Sequence, residues 1–528
     1  MPTPPLVTTT EQSKALDELA VKSYGLSGLI LMENAARSVL DAILAFFPEL
    51  AGGRKRIAIL GGPGQNGGDG WALGRLFHNR GHLVHAFLFT RPGHRPKGDA
   101  LVNLAILENL AIPFKTVSSF KEPPADFASY DLLVDALFGT GLSRGLEGVH
   151  LELVRHLNAL PRIFKVAAVD LPSGLSGDSG EAEGEVLRAD LTVSLGSYKR
   201  GFFQNRGPSL TGKLALGDIG LSPEMYEKIE PAGTFTGKEE VLRILPPRDR
   251  LAHKGVFGHA VVCGGSPGKS GALVLSALGA ARAGAGLVTA AHPEGLETIM
   301  ETKLTSAMTR SLPENRETRE LDRLAAPFLL ELLQGKDALA LGPGLGLSFG
   351  ARDFTKEIVL NAELPLVLDA DSLTHLGASL EIVAERTHPT VLTPHPKEAA
   401  ALLGTSAGEV LRDRFKAAEA IARLGYAVVI LKGPHSIVMD PRGNFAVNST
   451  GGPELATGGS GDILTGLVCG LLAQKIPPFE AARLAAWVHG RAGELAAELI
   501  GPFGMSAAEI QPCATKVWEE LYRARGWL

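Results

Sequence analysis

The chain has 528 residues, 45% of them hydrophobic and 21% charged, with a formal net charge of −5 at pH 7. That composition builds buried cores in more than one domain, and its mild acidity excludes nucleic-acid binding through overall charge. Glycine is in excess, at 63 residues or about 12% against roughly 7% in ordinary proteins, while Cys263, Cys469 and Cys513 include no CxxC pair, which excludes a disulfide framework and predicts a reducing, cytoplasmic home.

The opening residues lack the basic-then-apolar order of a secretion signal. No apolar run reaches the roughly 20 residues that span a bilayer, so no membrane partner is expected. Short β-branched apolar runs alternate with helical patterns, separated by glycine clusters, which predicts α/β architecture with parallel strands and crossover helices. The expected strands are Arg56–Leu60, Leu83–Phe89, Leu132–Asp135, Ala167–Asp170 and Leu191–Leu195. Those of the second half are His259–Cys263, Leu287–Ala291, Ala338–Leu341, Leu366–Asp369, Thr390–Thr393 and Ala427–Lys432. Around Leu221–Lys238, Ser-Pro, Pro-Ala-Gly and Thr-Gly steps carry little apolar periodicity. The expected division is a first domain over 1–222, a linker over 223–236 and a second domain over 237–528.

The first expected strand runs into GGPGQNGGDG at 61–70, where Gly62, Gly64 and Gly67 satisfy GxGxxG. A dinucleotide fingerprint also wants a carboxylate at the end of the next strand. Here that strand ends in Phe89, Thr90 and Arg91, which disfavours an NAD-dependent dehydrogenase. Backbone N–H groups at a helix start still attract phosphate. A tight turn alone would use the same glycines, but it would not need both Asn66 and Asp69. Asp135 ends a strand before the glycine loop 139–145, and Asp170 ends another just before Ser173. Ligands of open α/β sheets bind outside the carboxyl ends of the strands. One such aspartate reads best as a helix N-cap; three strand-end sites together predict an oxygen-rich cluster suited to a cation.

In the second half, CGGSPGKS at 263–270 ends like a Walker A loop, but Cys263 stands where that loop requires glycine, which excludes a P-loop NTPase. The strongest signal is ATGGSGDIL at 456–464, glycines followed by Asp462 and an apolar helical run. That pattern is an anion hole with a carboxylate beside it, able to take the proton from a hydroxyl attacking a phosphate. Upstream lie LGPGLG at 341–346, DADS at 369–372, TPHPKE at 393–398 and LKGPHS at 431–436. His395, between two prolines, is rigidly placed, although a lone histidine is often structural. Trp487 and His489 fall in an apolar helical pattern and read as core and its edge.

Taken together, LMENAA at 31–36, GGDG at 67–70, GTGL at 139–142 and DLPSG at 170–174 resemble NAD(P)HX epimerases. The segments at 341–346, 393–398, 431–436 and 456–464 resemble ADP-dependent NAD(P)HX dehydratases. Both halves in this order resemble the bifunctional NAD(P)H-hydrate repair family, over nearly the whole chain. The resemblance implies a Rossmann-like three-layer domain followed by a ribokinase-like three-layer domain. It implies that the first domain interconverts R and S hydrates of NADH and NADPH. The second would dehydrate the S form, coupled to hydrolysis of ADP to AMP and phosphate.

Carried over by residue, Gln65, Asn66, Gly67, Gly68 and Asp69, with Gly139, Thr140, Gly141, Leu142, Ser143, Arg144 and Gly145, would hold the hydrate, and Asp170 would stand catalytic at its nicotinamide end. Asn66, Asp135 and Ser173 would coordinate K⁺. In the second domain Ala272, Gly344, His395 and the catalytic Asp462 would contact the hydrate. Lys432, Gly433, Pro434, His435, Ser436 and Gly461 would cradle ADP or ATP, with Mg²⁺ screening the phosphates. Gln65 stands where the family usually has asparagine, and Lys397 where glycine is usual. A homo-oligomer is expected, with no nucleic-acid partner. The rival reading is a ribokinase-type small-molecule kinase fused to a regulatory or scaffold domain.

Overall fold

A computed structural model describes residues 5–141, 145–230, 233–249 and 251–528. The chain divides into two compact units, Met1–Ala232 and Gly233–Leu528.

In the first unit a short pair, β1 (Val7–Thr8) and β8 (Tyr198–Lys199), stands apart from the main sheet. The sheet is formed by β2 (Arg56–Gly61), β3 (Leu83–Phe89), β4 (Phe114–Val117), β5 (Leu132–Ala136), β6 (Lys165–Val169), β7 (Leu191–Leu195) and β9 (Lys213–Gly217). Its order is β4-β3-β2-β5-β6-β7-β9, and all pairings are parallel. Strand alternation explains the three layers. Ile57 and Ile59 of β2 face the helices Gly28–Phe46, Gln65–Asn79 and Gly98–Asn109, while Ala58 and Leu60 face the helix Gly148–Ala159. Both faces being covered, the strands read as continuous apolar runs. The order reverses between β2 and β5, and there a doubly wound sheet opens a crevice at its carboxyl edge.

The second unit has strands β10 (Gly233–Thr236), β11 (His259–Cys263), β12 (Leu287–Pro293), β13 (Met308–Leu312), β14 (Ala338–Leu341), β15 (Leu366–Leu368), β16 (Thr390–Leu392), β17 (Val428–Leu431), β18 (Ile437–Met439) and β19 (Phe445–Asn448). They form one sheet, β10-β19-β18-β17-β16-β15-β14-β11-β12-β13, in which β18 runs antiparallel to both neighbours. One face packs on the helices Ser270–Arg282, Ser460–Ala473, Pro478–Ile500 and Ala507–Ala524.

The long central strands fall where their apolar runs predict. Asp170 and Asp369 lie one residue past β6 and β15 rather than inside them. The segment 223–236, expected as a linker, carries the helical turn Pro223–Tyr226 and the edge strand β10. Trp487 and His489 are buried, as core residues, and the three cysteines are buried and unpaired. Among the described residues no helix is long and apolar enough to cross a membrane.

Candidate functional sites in the two units

The first site forms at the switch point. Gly62 donates to the Ala136 carbonyl at 3.1 Å, tying the glycine loop after β2 to the end of β5. A Cβ on Gly62 would come within 2.0 Å of the Leu137 carbonyl oxygen, and one on Gly67 within 2.0 Å of the Gly62 carbonyl oxygen. Only glycine permits this approach, which seats the start of the helix Gln65–Asn79 against the crevice.

Asp135, fully buried, accepts from the Ser173 hydroxyl at 2.6 Å, the Ser173 N–H at 2.8 Å and the Leu137 N–H at 3.3 Å. Burial pushes its carboxyl up to about 6, against the lowering effect of those hydrogen bonds. The Phe138 N–H donates in turn to Ser173 Oγ at 3.1 Å. One residue further, a Cβ on Gly139 would sit 3.2 Å from Asp170 Oδ2 and 3.3 Å from Asn66 Oδ1. Loop 136–139 therefore gathers Asp135, Ser173, Asn66 and Asp170. Asn66 is buried, and its Nδ2 has no partner within the protein. Such an atom is costly unless a ligand or ion meets it, and an amide turned by half a revolution offers oxygen instead.

Asp170 adopts φ +64°, a left-handed conformation that Asp and Asn tolerate better than most residues. Its Oδ1 accepts from Lys199 Nζ at 2.6 Å and from the Leu195 N–H at 3.1 Å. Lys199, wholly buried on β8, also donates to Ser194 Oγ and to the carbonyls of Leu195 and Ser197. Asp69 lies on the same helix face as the opening turn; burial, then the charges of Asp170 and Asp17, raise its carboxyl well above the usual range. Two carboxyl groups, one ion-paired with Lys199 and one raised by burial, thus share one crevice. Leu142, Ser143 and Arg144 lie outside the described residues.

The second site collects around Lys432, one residue past β17. Its Nζ donates to Asp369 Oδ1 at 2.8 Å and lies 3.8 Å from Glu398 Oε2. The other Asp369 oxygen accepts from the Thr465 hydroxyl at 2.5 Å. Thr465 and Asp462 belong to the helix Ser460–Ala473, and a Cβ on Gly461 would come within 3.3 Å of Lys432 Nζ. Burial and the charge of Asp369 push Asp462 up to about 7, with Lys432 opposing. Burial likewise raises Glu398 to about 7. Two carboxyls poised near neutrality beside one ammonium are equipped for proton transfer at physiological pH.

His395 is an N-cap: its Nδ1 accepts from the N–H groups of Lys397 and Glu398, both at 3.1 Å, and Glu398 Oε2 accepts from the His395 N–H at 2.7 Å. An accepting Nδ1 places the proton on Nε2, and burial, reinforced by Lys432, lowers the imidazole pKa. The ring is thus held as a helix N-cap, and its Nε2 lies 3.5 Å from Glu398 Oε1. Gly344 adopts φ +62°, and a Cβ there would lie 3.2 Å from Ala272 Cβ, so these two positions share one wall. Asp371 accepts from the Gly346 N–H at 2.9 Å and from Lys269 Nζ at 3.0 Å, which locks the same wall.

Sequence reasoning missed Lys199, Asp369 as partner of Lys432, and Arg414 behind the 432–436 loop. Lys199 sits in no glycine motif; its burial comes from β1, whose Thr8 pairs in register with it.

A doubly wound domain with a glycine-loop crevice, followed by a second α/β domain with Asp462 in the first turn of a glycine-led helix, defines a two-domain α/β protein with two candidate sites. A family model described as YjeF-related protein N-terminus matches residues 28–201, and one described as NAD(P)H-hydrate dehydratase matches residues 260–516. The bifunctional NAD(P)H-hydrate repair enzyme of Moorella thermoacetica is 39% identical over 508 residues, covering 96% of this chain and 95% of its own. That of Coxiella burnetii is 36% identical over 505 residues, covering 95% and 97%. The chain belongs to the family of bifunctional NAD(P)H-hydrate repair enzymes. The ADP/ATP-dependent NAD(P)H-hydrate dehydratase of Bacillus subtilis, co-crystallised with ATP and Mg²⁺, is 29% identical, covers 54% of this chain and 98% of its own, and aligns with a TM-score of 0.46.

Proposed function

We propose that the first unit epimerises the hydrates of NADH and NADPH and that the second dehydrates the S epimer at the expense of ADP. The observation that carries this reading is the coexistence of two separately assembled charged sites, the Asp170–Lys199 pair and Asp462 beside the Lys432–Asp369 pair, in a chain of this family. Neither site is what a regulatory scaffold retains, which disfavours the kinase-plus-scaffold rival.

In the first site the loops 65–69 and 139–145 hold the hydrate, with Asp170 at its nicotinamide end. Inverting a ring carbon that bears a hydroxyl requires a bond there to open and re-form, and both halves of that event move a proton. Asp170 accepts and returns it, and Lys199 holds the carboxylate in place. Asn66, Asp135 and Ser173 would hold K⁺: one carboxylate with neutral oxygens from an amide and a hydroxyl suits a monovalent cation. When bound, the ion neutralises Asp135 and fixes the loop beside Asp170.

In the second site Ala272, Gly344, His395 and Asp462 contact the hydrate, while Lys432, Gly433, Pro434, His435, Ser436 and Gly461 hold ADP. Hydroxide is a poor leaving group. Asp462 removes the proton of the ring hydroxyl as it attacks the terminal phosphoryl group, releasing AMP. The ring nitrogen then expels phosphate as the neighbouring carbon loses a proton, and NAD(P)H is restored. Mg²⁺ would screen the phosphate charge when bound. Two additions test the ion assignments. EDTA is expected to stop dehydration and spare epimerisation, whereas K⁺ in place of Li⁺ is expected to accelerate epimerisation alone. Epimerisation abolished by EDTA and indifferent to K⁺ contradicts the assignment.

A further inference from the structure

The loop 431–436 makes an unusual demand on its backbone. Gly433 has φ +151° and His435 has φ +51°, so two of its residues leave the regions that L side chains prefer. Something must hold that shape, and the structure supplies one group. Arg414, 3% exposed at the start of the helix Arg414–Leu424, reaches behind the loop. Its Nη1 donates to the Pro434 carbonyl at 2.6 Å, and its Nη2 donates to the carbonyls of Leu431 and His435, each at 3.3 Å. A Cβ on Gly433 would come within 2.9 Å of Nη2, so the glycine also makes room for the guanidinium.

A trans peptide points its N–H opposite to its C=O. Drawing the carbonyls of Pro434 and His435 toward Arg414 therefore turns the N–H groups of His435 and Ser436 the other way. The remaining contacts agree: the Gly433 carbonyl accepts from Ser436 Oγ at 3.3 Å and the Ser436 carbonyl from the Asn448 N–H at 2.9 Å, while His435 Nδ1 meets the Asn448 carbonyl at 3.1 Å. Burial lowers the Arg414 guanidinium only to about 10, so it stays charged at neutral pH.

We propose that Arg414 is a positioning residue for the nucleoside diphosphate: by gathering the loop carbonyls on one side it presents the N–H groups of His435 and Ser436 to the phosphates. This rests on the reading that the loop 432–436 holds ADP. A lysine could bond one or two of the three carbonyls but not span them as a planar fork does.

The test uses the full chain, with ADP binding by calorimetry, KM and kcat for dehydration, and the midpoint of thermal unfolding. Four proteins are compared: wild type, Arg414→Lys, Arg414→Met and Ser436→Trp, the last placing a bulky ring on the nucleotide side. Arg414→Met is expected to weaken ADP binding by about 10- to 100-fold, the penalty for a displaced binding group. KM for ADP rises accordingly, kcat at saturating ADP falls far less, and Arg414→Lys lies between. A lowered midpoint with unchanged ADP affinity in Arg414→Met overturns the proposal, because the residue then serves only the fold. Should Arg414→Met not fold, wild-type affinity in Arg414→Lys overturns it equally. Unchanged affinity in Ser436→Trp overturns instead the assignment of the loop to ADP.

Discussion

In the proposed dehydration, Asp462 acts through its protonation state. The unfolded chain releases this proton near 3.8, whereas burial and Asp369 hold it in the folded protein to about 7. A base must be ionised, so dehydration is expected to fall as pH drops through about 7. Stability runs the other way. The folded state binds the extra proton between these two values, so its stability declines as pH rises across that window. Asp462→Asn is therefore expected to raise the unfolding midpoint at pH 8 but not at pH 4, while dehydration falls by about 10²- to 10⁴-fold, as expected for a lost general base. A variant equally stable at both values would contradict the buried-charge account. In the first unit, Lys199→Met strands Asp170 without its cation, and removing one partner of a buried pair costs about 3–5 kcal/mol. Adding Asp170→Asn to that variant is expected to recover most of the loss in a denaturant titration, without restoring epimerisation. Of these residues, Asp462 and Asp170 were legible because each stands at a strand or helix terminus beside glycines. Lys199 was not, since a lysine inside SYKRG looks like any surface cation until β1 closes over it.

At the level of elements, the helix Ser460–Ala473 is aimed by how closely its neighbour approaches. A Cβ on Gly466 would come within 2.0 Å of the Ser276 carbonyl oxygen, and one on Gly279 within 2.7 Å of the Ile463 carbonyl oxygen. Ser276 Oγ meanwhile donates to the Asp462 carbonyl at 2.8 Å, so the same contact that packs the helices also registers the catalytic turn. Gly466→Val is expected to force the helices apart, lowering stability by about 1–3 kcal/mol as overpacking does, and to depress dehydration beyond that loss while epimerisation is unchanged. Wild-type dehydration in a folded Gly466→Val protein would show that the packing does not set the site. Central strands were readable from sequence because both faces are covered and the residues run apolar without interruption. Edge strands were not: β4 has two exposed residues among its four, and β13 alternates exposed with half-buried positions, so neither displays an apolar signal. β18 and β19 pair antiparallel across the short turn 440–444, outside the strand–helix alternation that marks the others. Asp170 and Asp369 fell just outside their strands for a related reason, since an apolar run does not reveal where the backbone turns.

For the whole molecule, each unit has its own sheet, its own core and its own acid–base pair, so the two activities are expected to be separable. A chain beginning at Gly233 keeps β10 on the edge of its sheet and is expected to dehydrate the S hydrate without epimerising the R form. Several of the glycines, Gly62, Gly264 and Gly342 among them, stand at the carboxyl ends of strands, where backbone must approach backbone. The measurement that tests the central claim most directly supplies a mixture of R and S NADH hydrate with ADP and Mg²⁺ and follows the return of NADH absorbance. Wild type is expected to consume the whole mixture. Asp170→Asn, whose left-handed backbone asparagine tolerates equally well, is expected to consume the S fraction at the normal rate and then slow to spontaneous epimerisation. Asp462→Asn is expected to return almost no NADH while still equilibrating the epimers. Rapid and complete recovery of NADH by Asp170→Asn, or normal recovery by Asp462→Asn, would contradict the division of labour between the two units.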